Sequence, residues 1–445
     1  MTFADLNLNR SLWNALEDMG LQTPTTIQEK AFSPIMSGRD IVGIAQTGTG
    51  KTLAFLLPCL RMWQFTKDKS VQLLILVPTR ELVAQIVLEV QKLTKYMNAS
   101  VVGVYGGANI NTQAAELKNG ADVLVATPGR LLDLALNNHL KLKQVKKLVI
   151  DEVDEMMDLG FRTQLTRVLD LLPAKRQNLL FSATMTTEVE LLIQDFFTQP
   201  QVVEASPTGT PLESILQIGY PVPNFYTKIN LLHHLLSTDS TMTKVLVFIA
   251  TKKQADLVHE NLTQLMPEGI GIIHANRAQN VRFEAVKEFK NGTNRVLIAT
   301  DIIARGMDIS EVTHVINFDM PDVPENYIHR IGRTGRADKE GIAISFITKA
   351  EKEFQSQVEA LMKFKIKMKR FPADVSKSVE LIASEMPVDV NRIIHLKPLN
   401  EAISGPSFHE KKKKNKKVNV IVSHKERMLK KYGKPKTRGQ KPKKK

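Results

Sequence analysis

The sequence is poor in cysteine and aromatic residues, and it contains no long apolar run. Cys59 is the single cysteine, so the chain can form neither an internal disulfide nor a cysteine-based zinc cluster, which favours a reducing compartment. No apolar run approaches the roughly 18 residues that a membrane-spanning helix requires. The N-terminal segment carries an acidic residue early and lacks the apolar core of a secretory signal. We therefore expect a globular protein without a membrane partner.

Acidic residues are almost missing from the C-terminal end, which carries nearly all of the net charge of +15. Residues 411–445 contain 17 Lys or Arg and one acid, Glu426, whereas the rest of the chain holds 44 bases and 45 acids. A block of like charge beyond a neutral body predicts a disordered or loosely helical arm for a polyanion. Nucleic acid is the favoured partner, because neutralised phosphates release counterions. A solubilising tail is the alternative.

Strand-like apolar runs alternate with helical stretches in both halves of the chain. This alternation predicts mostly parallel sheets with helices on both faces, in which ligands bind beyond the carboxyl ends of the strands. The runs are residues 41–45, 73–77, 101–105, 122–126, 148–150 and 179–181 in the first half, and 245–249, 271–274, 296–299, 314–318 and 343–347 in the second.

A segment rich in turn-forming residues separates the two halves. Residues 200–211 contain three prolines and little apolar periodicity, so we interpret them as an interdomain connection. The predicted organisation is a first α/β domain at 1–204, a linker at 205–212, a second α/β domain at 213–371, an extension of uncertain structure at 372–410 and a Lys-rich tail at 411–445.

The first predicted strand is followed by a segment typical of a P-loop. Gly48 and Gly50 allow backbone N–H groups to converge on phosphate oxygens at a helix N-terminus. Lys51 would meet the β- and γ-phosphates, and the Thr52 hydroxyl would bind Mg²⁺. In order, the segment reads Ala45, Gln46, Thr47, Gly48, Thr49, Gly50, Lys51 and Thr52.

Two adjacent carboxylates follow the short apolar strand at 148–150. Asp151 is placed to hold Mg²⁺ through water, and Glu152 to orient and deprotonate an attacking water. Adjacent carboxylates repel each other unless a cation lies between them, which favours a metal site. Arginine fingers for the same phosphates are sought among Arg330, Arg333 and Arg336, about 280 residues further along the chain. If they serve this site, nucleotide binding must close the two domains.

These motifs, with others in the same order, resemble the DEAD-box RNA helicases over about residues 3–350, and the bacterial RhlE-like group most of all. The resemblance implies two tandem RecA-like α/β domains, ATP and Mg²⁺ as the bound nucleotide and metal, and RNA as the partner. The further motifs are Gly20-x-x-x-Pro-Thr-Thr-Ile-Gln28, Pro78-Thr-Arg-Glu-Leu82, Gly106-Gly107, Thr127-Pro-Gly-Arg130, Ser182-Ala-Thr184, Gln279-x-x-Arg282, Ala299-Thr-Asp301 through Asp308, and His329 through Arg336.

By the same resemblance, Phe3 stacks on the adenine, Gln28 reads its edge and Asp308 meets the ribose. Arg333 and Arg336 occupy the finger positions. Few aromatic residues fall in these motifs, which favours sequence-independent contact with the RNA backbone. The residues implied in coupling are Asp154, Ser182, Thr184 and His329, and those implied in RNA binding are Arg80, Gly107, Thr127, Gly129, Arg130, Thr251, Gln279, Arg282 and Thr300.

Two residues depart from the family pattern. Val153 makes the tetrapeptide Asp-Glu-Val-Asp, which adds bulk but leaves all three carboxylates in place. Ala275 follows His274 where the family has glycine, so the local turn is expected to differ if that position needs a positive φ.

The expected function is an ATP-dependent RNA helicase that unwinds short duplexes or remodels RNA–protein complexes. An ATP-gated RNA clamp or scaffold with little unwinding uses the same residues, and a DNA translocase is a third candidate. The resemblance implies a bacterial cytoplasm, with ribosomal or RNA-decay assemblies as family-level partners. The basic run at 411–417 also matches a nuclear localisation signal.

The Lys-rich tail gives the first prediction. Deleting residues 411–445 should weaken RNA binding and flatten its dependence on salt, because fewer phosphates are then neutralised. Titrating one single-stranded RNA at several salt concentrations with the full chain and the shortened chain measures both slopes. An unchanged slope would leave the tail as a solubiliser.

Overall fold

The computed structural model describes residues 2–45, 48–68, 70–205, 215–301, 309, 312–335 and 341–386. The predicted linker beyond Ala205, the Lys-rich tail and most of the extension before it lie outside these residues. None of the helices in the described part of the chain is long and apolar enough to cross a membrane.

The first half forms a seven-stranded sheet in which all strands run parallel, in the order β3-β4-β2-β5-β6-β1-β7. A short 3-10 helix at Phe3–Leu6 precedes it. The strands are β1 Ile41–Ile44, β2 Leu73–Leu76, β3 Val101–Val104, β4 Val123–Ala126, β5 Lys147–Asp151, β6 Gln177–Ser182 and β7 Gln201–Glu204.

The second half repeats the same arrangement with a second parallel sheet, in the order β10-β11-β9-β12-β13-β8-β14. Both sheets therefore place their strands in the same topological sequence, as expected for tandem domains of one fold. The strands are β8 Ile215–Pro221, β9 Val245–Phe248, β10 Ile270–Ile273, β11 Val296–Ala299, β12 His314–Asn317, β13 Gly341–Ile347 and β14 Lys367–Met368.

Helices connect the strands and cover the faces of both sheets, which confirms the predicted α/β fold. The described helices are α1 Arg10–Asp18, α2 Thr26–Met36, α3 Lys51–Arg61, α4 Arg80–Leu93, α5 Ile110–Lys118, α6 Pro128–Leu136, α7 Val153–Asp158, α8 Arg162–Leu171, α9 Thr187–Phe196, α10 Phe225–Thr238, α11 Lys252–Leu265, α12 Gln279–Lys290, α13 Pro324–Ile331 and α14 Lys352–Met362.

Burial on both faces explains why the strands are continuous apolar runs. In β1, Ile41 packs into one core of the first sheet, whereas Val42 and Ile44 point into the core on the opposite face. Successive side chains of a strand point to opposite faces, so a strand covered on both faces needs apolar residues at every position. The carboxyl ends of such parallel strands stay open at one edge, where the predicted site residues lie.

Three strands differ from the sequence prediction. Gln201–Glu204, which we interpreted as part of the interdomain break, pairs with β1 as the edge strand β7. The segment Ile215–Pro221 forms β8, and the two-residue strand β14 completes the second sheet beside it. Edge strands carry less apolar character than central ones, and this explains why the periodicity of β7 and β14 was missed.

The chain beyond Phe371 continues to pack on the second sheet. Val375 is buried in its core, and the Ser378 backbone bonds both Asn224 and Thr227 at the start of α10. The Glu385 carboxylate accepts a hydrogen bond from the Phe225 N–H at 2.7 Å. Residues 372–385 thus close over one end of α10, whereas the predicted domain boundary at 371 stays a prediction.

Close packing at β1 gives the second prediction. A Cβ added to Gly43 would lie 2.5 Å from two ring atoms of Phe181, a fully buried residue. Gly43→Ala should therefore lower the free energy of unfolding by about 1–3 kcal/mol through overpacking. Both tryptophans, Trp13 and Trp63, belong to the first half, so urea denaturation followed by their fluorescence reports on it.

The matched control is Gly129→Ala, because nothing lies within 4 Å of a Cβ at that helical position. This control should leave the urea midpoint unchanged or raised. Equal midpoints for the Gly43 and Gly129 variants would contradict the overpacking argument.

Candidate functional site

The P-loop joins β1 to α3, as its sequence predicts. Gly48 and Gly50 both have φ of +87°, a conformation that glycine adopts without strain, and Gly50 caps the N-terminus of α3. Lys51 is only 6% exposed, and among the described residues its Nζ has no hydrogen-bond partner. An unpaired buried ammonium ion is costly, so this group is poised for an anion such as a phosphate.

The two residues predicted to recognise the base, Gln28 and Phe3, have different environments. Gln28 donates from Nε2 to the Gly50 carbonyl at 3.1 Å and accepts from the Thr25 N–H at 3.0 Å. Its side chain therefore supports the P-loop directly. Phe3 is 1% exposed and packs in the apolar core of the first sheet, so neither ring face is open to a base in this structure. Base stacking by Phe3 and edge recognition by Gln28 stay predictions.

The paired carboxylates lie at the carboxyl end of β5. Burial raises the pKa of Asp151 to about 7; the Lys51 ammonium opposes this, and the neighbouring Glu152 and Asp154 carboxylates reinforce it. Glu152 has a φ of +54°, a backbone conformation that is uncommon for residues other than glycine. Its Oε2 is buried without a partner among the described residues. A cation between these oxygens would offset both the desolvation cost of the buried carboxylates and their mutual repulsion.

These observations fit a magnesium ion. Among the described residues there is no cluster of three or more metal-binding side chains. Mg²⁺ does not require one, because in nucleotide sites it keeps waters and phosphate oxygens as most of its ligands. Thr52 and Asp151 are the predicted protein contacts.

Asp154 joins the carboxylate segment to the Ser182–Thr184 motif after β6. Its Oδ2 accepts hydrogen bonds from the Ala183 N–H at 3.1 Å and from both the N–H and the hydroxyl of Thr184 at 2.9 Å. Ser182 donates its hydroxyl to the Thr184 carbonyl at 2.7 Å. The residues implied in coupling are thus connected by a direct network.

The second sheet reaches the same network through α13. His329 Nε2 lies 3.9 Å from Asp154 Oδ2, and its Nδ1 lies 4.0 Å from Glu155 Oε1. Burial would raise the pKa of Asp154, but His329, Lys51 and the hydrogen bonds from Thr184 hold that pKa below its ordinary value. Motifs separated by about 150 residues in sequence therefore meet at one carboxylate.

The arginines of α13 and the turn after it have different environments. Arg330 binds Asp301 with two bonds of 2.6 and 2.7 Å and donates to the Asp319 carbonyl, so its guanidinium is committed to the second domain. Arg333 is buried one turn further on. Arg336, Gln46, Thr47 and Asp308 lie outside the described residues, so their predicted roles stay predictions.

A second interface between the two halves lies at the start of α4 and α12. Glu81 accepts a hydrogen bond from Gln279 Nε2 at 2.8 Å and forms an ion pair of 3.0 Å with Arg282. Arg282 also bonds Gln279. Gln279 and Arg282 thus connect the two halves through Glu81, and their predicted contact with RNA stays a prediction.

Beside this interface lies a cavity of about 430 Å³ that both halves line. The Arg130 guanidinium donates hydrogen bonds to Gln113 Oε1 and to the Ala108 carbonyl, and so stabilises the loop that contains Gly106 and Gly107. Gly107 has a φ of +77°, and a side chain there would collide with the Arg80 guanidinium. The lining residues are Pro78, Thr79, Arg80, Glu81, Gly106, Thr127, Gly129, Arg130, Asp133, Leu159, Phe161, Ala275 and Arg282.

Some residues that line the cavity were not predicted from the sequence. Phe161 and Asp133 line the cavity, although no motif pointed to them; their positions after α7 and on α6 were the only available signal. Thr251 does not line the cavity; its hydroxyl accepts a hydrogen bond from the Gln254 N–H and caps α11. Thr300 directly follows β11. Direct RNA contact by Thr251 and Thr300 stays a prediction.

A P-loop on one parallel sheet, together with a helix of the second sheet that brings His329 to Asp154, defines a two-domain P-loop nucleotide hydrolase. The family model "DEAD/DEAH box helicase" matches residues 25–192, and "Helicase conserved C-terminal domain" matches residues 227–338. The DEAD-box ATP-dependent RNA helicase CshA of Bacillus cereus is 40% identical over 82% of this chain and 69% of its own, and that of Bacillus subtilis is 38% identical over 88% and 78%. The chain therefore belongs to the DEAD-box ATP-dependent RNA helicases.

Solved structures of the family have the same fold. S. cerevisiae Dbp5 bound to RNA and ADP BeF3 aligns with a TM-score of 0.75 at 32% identity, covering 84% of this chain and 96% of that one. Mss116p bound to ssRNA and AMP-PNP aligns with a TM-score of 0.78 at 28% identity, covering 84% and 80%. The predicted fold class of tandem RecA-like domains is confirmed. The RhlE-like subgroup stays a prediction.

The Asp154 network gives the third prediction. Asp154→Asn replaces a carboxylate that accepts three hydrogen bonds with an amide, so the free energy of unfolding should fall by about 1–3 kcal/mol at pH 7. The folded pKa of Asp154 is lowered, so its contribution is present above the unfolded pKa of about 4 and is lost as the pH falls through the folded value.

The difference between Asp154→Asn and the natural chain should therefore shrink below about pH 4. Urea denaturation by tryptophan fluorescence between pH 3 and 7 measures it. Asp170→Asn, at an exposed position on α8, is the matched control and should change little at any pH. A pH-independent difference for Asp154→Asn would show that the carboxylate's charge is not what holds the network.

Proposed function

We propose that this chain couples ATP binding and hydrolysis to the local unwinding of RNA duplexes or the remodelling of RNA–protein complexes. The carrying observation is that one functional set is divided over both halves: Lys51 and Asp154 belong to the first sheet, and His329 reaches Asp154 from the second. The CshA relatives are ATP-dependent RNA helicases, and the Dbp5 and Mss116p structures hold RNA with a nucleotide analogue.

The catalytic roles follow from the chemistry of the cleft. Lys51 holds the β- and γ-phosphates, and Glu152 orients the attacking water and takes its proton. Arg333 and Arg336 stabilise the charge that develops on the transferred phosphoryl group. Mg²⁺ held by Thr52 and Asp151 would neutralise phosphate charge.

Closure couples this chemistry to RNA. ATP and one RNA strand bind across the same cleft, and the contacts of Glu81 and Asp154 with the second half complete both sites at once. Arg80 and the backbone around Gly107 grip the sugar–phosphate chain without reading bases. The closed groove bends the bound strand, which a duplex cannot follow, so its partner leaves. Hydrolysis then reopens the cleft and releases the RNA.

Two other functions use the same residues. An ATP-gated RNA clamp would close and hold without displacing a strand, so a strand-displacement assay separates it from a helicase. A DNA translocase would be stimulated by DNA, so ATPase rates with RNA and DNA of equal sequence separate that reading. We propose a bacterial cytoplasm for this chain, with ribosomal or RNA-decay assemblies as partners; the Bacillus origin of the CshA relatives supports the bacterial source alone.

Glu152 gives the fourth prediction. Glu152→Gln should reduce RNA-stimulated ATP hydrolysis by roughly 10²–10⁴-fold while nucleotide binding persists, because only the general base is lost. Steady-state phosphate release with and without single-stranded RNA measures the rate. Glu116→Gln, on the exposed face of α5, is the control and should hydrolyse ATP like the natural chain. Full activity in Glu152→Gln would assign the base elsewhere.

A further inference from the structure

Asp319 lies just beyond β12, at the carboxyl edge of the second sheet, and its oxygens serve three different elements. Its Oδ1 accepts from the Lys228 ammonium at 2.9 Å, and its Oδ2 accepts from the Ala250 N–H at 3.0 Å. Its carbonyl oxygen accepts from Arg330 Nη1 at 2.6 Å. The residue is 8% exposed, so these bonds are shielded from water.

Two of these three elements carry residues with different proposed roles, one in RNA binding and the other in the network beside the nucleotide. Ala250 directly precedes Thr251, one of the residues implied in RNA binding and the cap of α11. Arg330 directly follows His329, which faces the nucleotide network, and its guanidinium also holds Asp301 after Thr300. Asp319 is therefore a direct bridge from the RNA-facing loop to the helix that faces the nucleotide.

Lys228 fixes the orientation of this bridge. Its side chain is 3% exposed, and its ammonium group binds Asp319 at 2.9 Å and Glu351 at 2.9–3.0 Å. Burial would lower the pKa of Lys228, but the two carboxylates hold it above its ordinary value, so the cation persists. With one Asp319 oxygen committed to Lys228, the other is directed at the Ala250 N–H.

Stability alone does not account for this arrangement. A buried ion pair contributes little net folding energy, because desolvation offsets the Coulomb attraction, and apolar residues of similar size serve as well. Glu351 satisfies a purely structural role: it binds Lys228, the Met320 N–H and the Thr348 N–H and hydroxyl. Asp319 differs from Glu351 because it also holds the loop before Thr251 and the Arg330 guanidinium.

We propose that Asp319 is a positioning residue that couples RNA binding at the Thr251 loop to the orientation of α13, with Lys228 aligning its carboxylate. The proposal rests on the proposed RNA-dependent ATPase function. When RNA engages the loop, the displacement passes through the Ala250 N–H and Asp319 to Arg330, and so to the adjacent His329.

The test compares two substitutions within one network. Asp319→Asn places an amide donor against either the Lys228 ammonium or the Ala250 N–H, so one contact must break. Glu351→Gln disturbs the same buried cation but touches neither the RNA-facing loop nor Arg330. Asp322→Asn makes the same chemical change at an exposed position three residues beyond Asp319 and is the control.

Three quantities are measured for each variant: the thermal unfolding midpoint, the RNA concentration that gives half-maximal ATPase stimulation, and the stimulated kcat. For Asp319→Asn we expect the RNA concentration to rise about tenfold or more and kcat to fall. For Glu351→Gln we expect a lowered midpoint with both kinetic values within about twofold, and for Asp322→Asn no change.

Changes in both network variants that follow only their unfolding midpoints would overturn the proposal and leave Asp319 a structural residue. If Asp319→Asn shows no cooperative unfolding, Lys228→Gln takes its place: a raised RNA concentration supports the proposal, and an unchanged value overturns it. RNA stimulation absent from the natural chain would instead overturn the proposed function itself, so the two failures are distinguishable.

Discussion

Carboxylates at the edge of the first sheet hold basic and amide side chains from the second, and every shared site depends on these contacts. Glu81 binds Gln279 and Arg282, and Asp154 faces His329. Four of these side chains are buried, those of Glu81, Arg282, Asp154 and His329, so removing one partner leaves a buried group uncompensated, at a cost of several kcal/mol. Closure is therefore strongly favoured only when each carboxylate finds its partner, which makes it sensitive to small displacements in either half.

Much of the fold was predictable because burial on both faces imposes a strong pattern on central strands. The runs at β2, β4, β9 and β11 are continuous and apolar, and turn residues bound them, so their existence and their parallel arrangement followed from the sequence. The P-loop was equally clear, since its glycines are needed for a backbone that few other residues adopt. The edge strands β7 and β14 lie outside this pattern, because an edge needs fewer apolar residues.

The details of the site were less predictable, because they depend on partners distant in sequence. Nothing near Arg130 indicates that Gln113 and the Ala108 carbonyl occupy its guanidinium, and nothing near Arg282 indicates Glu81. The structure shows that Arg130 orders a loop of the first half and that Arg282 connects the two halves, and the RNA contact that the resemblance implies for both stays a prediction. Similarly, the resemblance does not indicate that Phe3 packs in the apolar core, and its stacking on the adenine stays a prediction.

The two departures from the family pattern fall where the structure tolerates them. Val153, the first residue of α7, is fully buried in the same core as Val42 and Ile44, and the carboxylates Asp151, Glu152 and Asp154 flank it in sequence. Ala275 does not have a positive φ, so this turn makes no demand for glycine, and its methyl group contributes to the wall of the cavity shared by both halves. Neither change removes a side-chain donor, an acceptor or a charge, and the survival of ATP hydrolysis with Val153 in place stays a prediction.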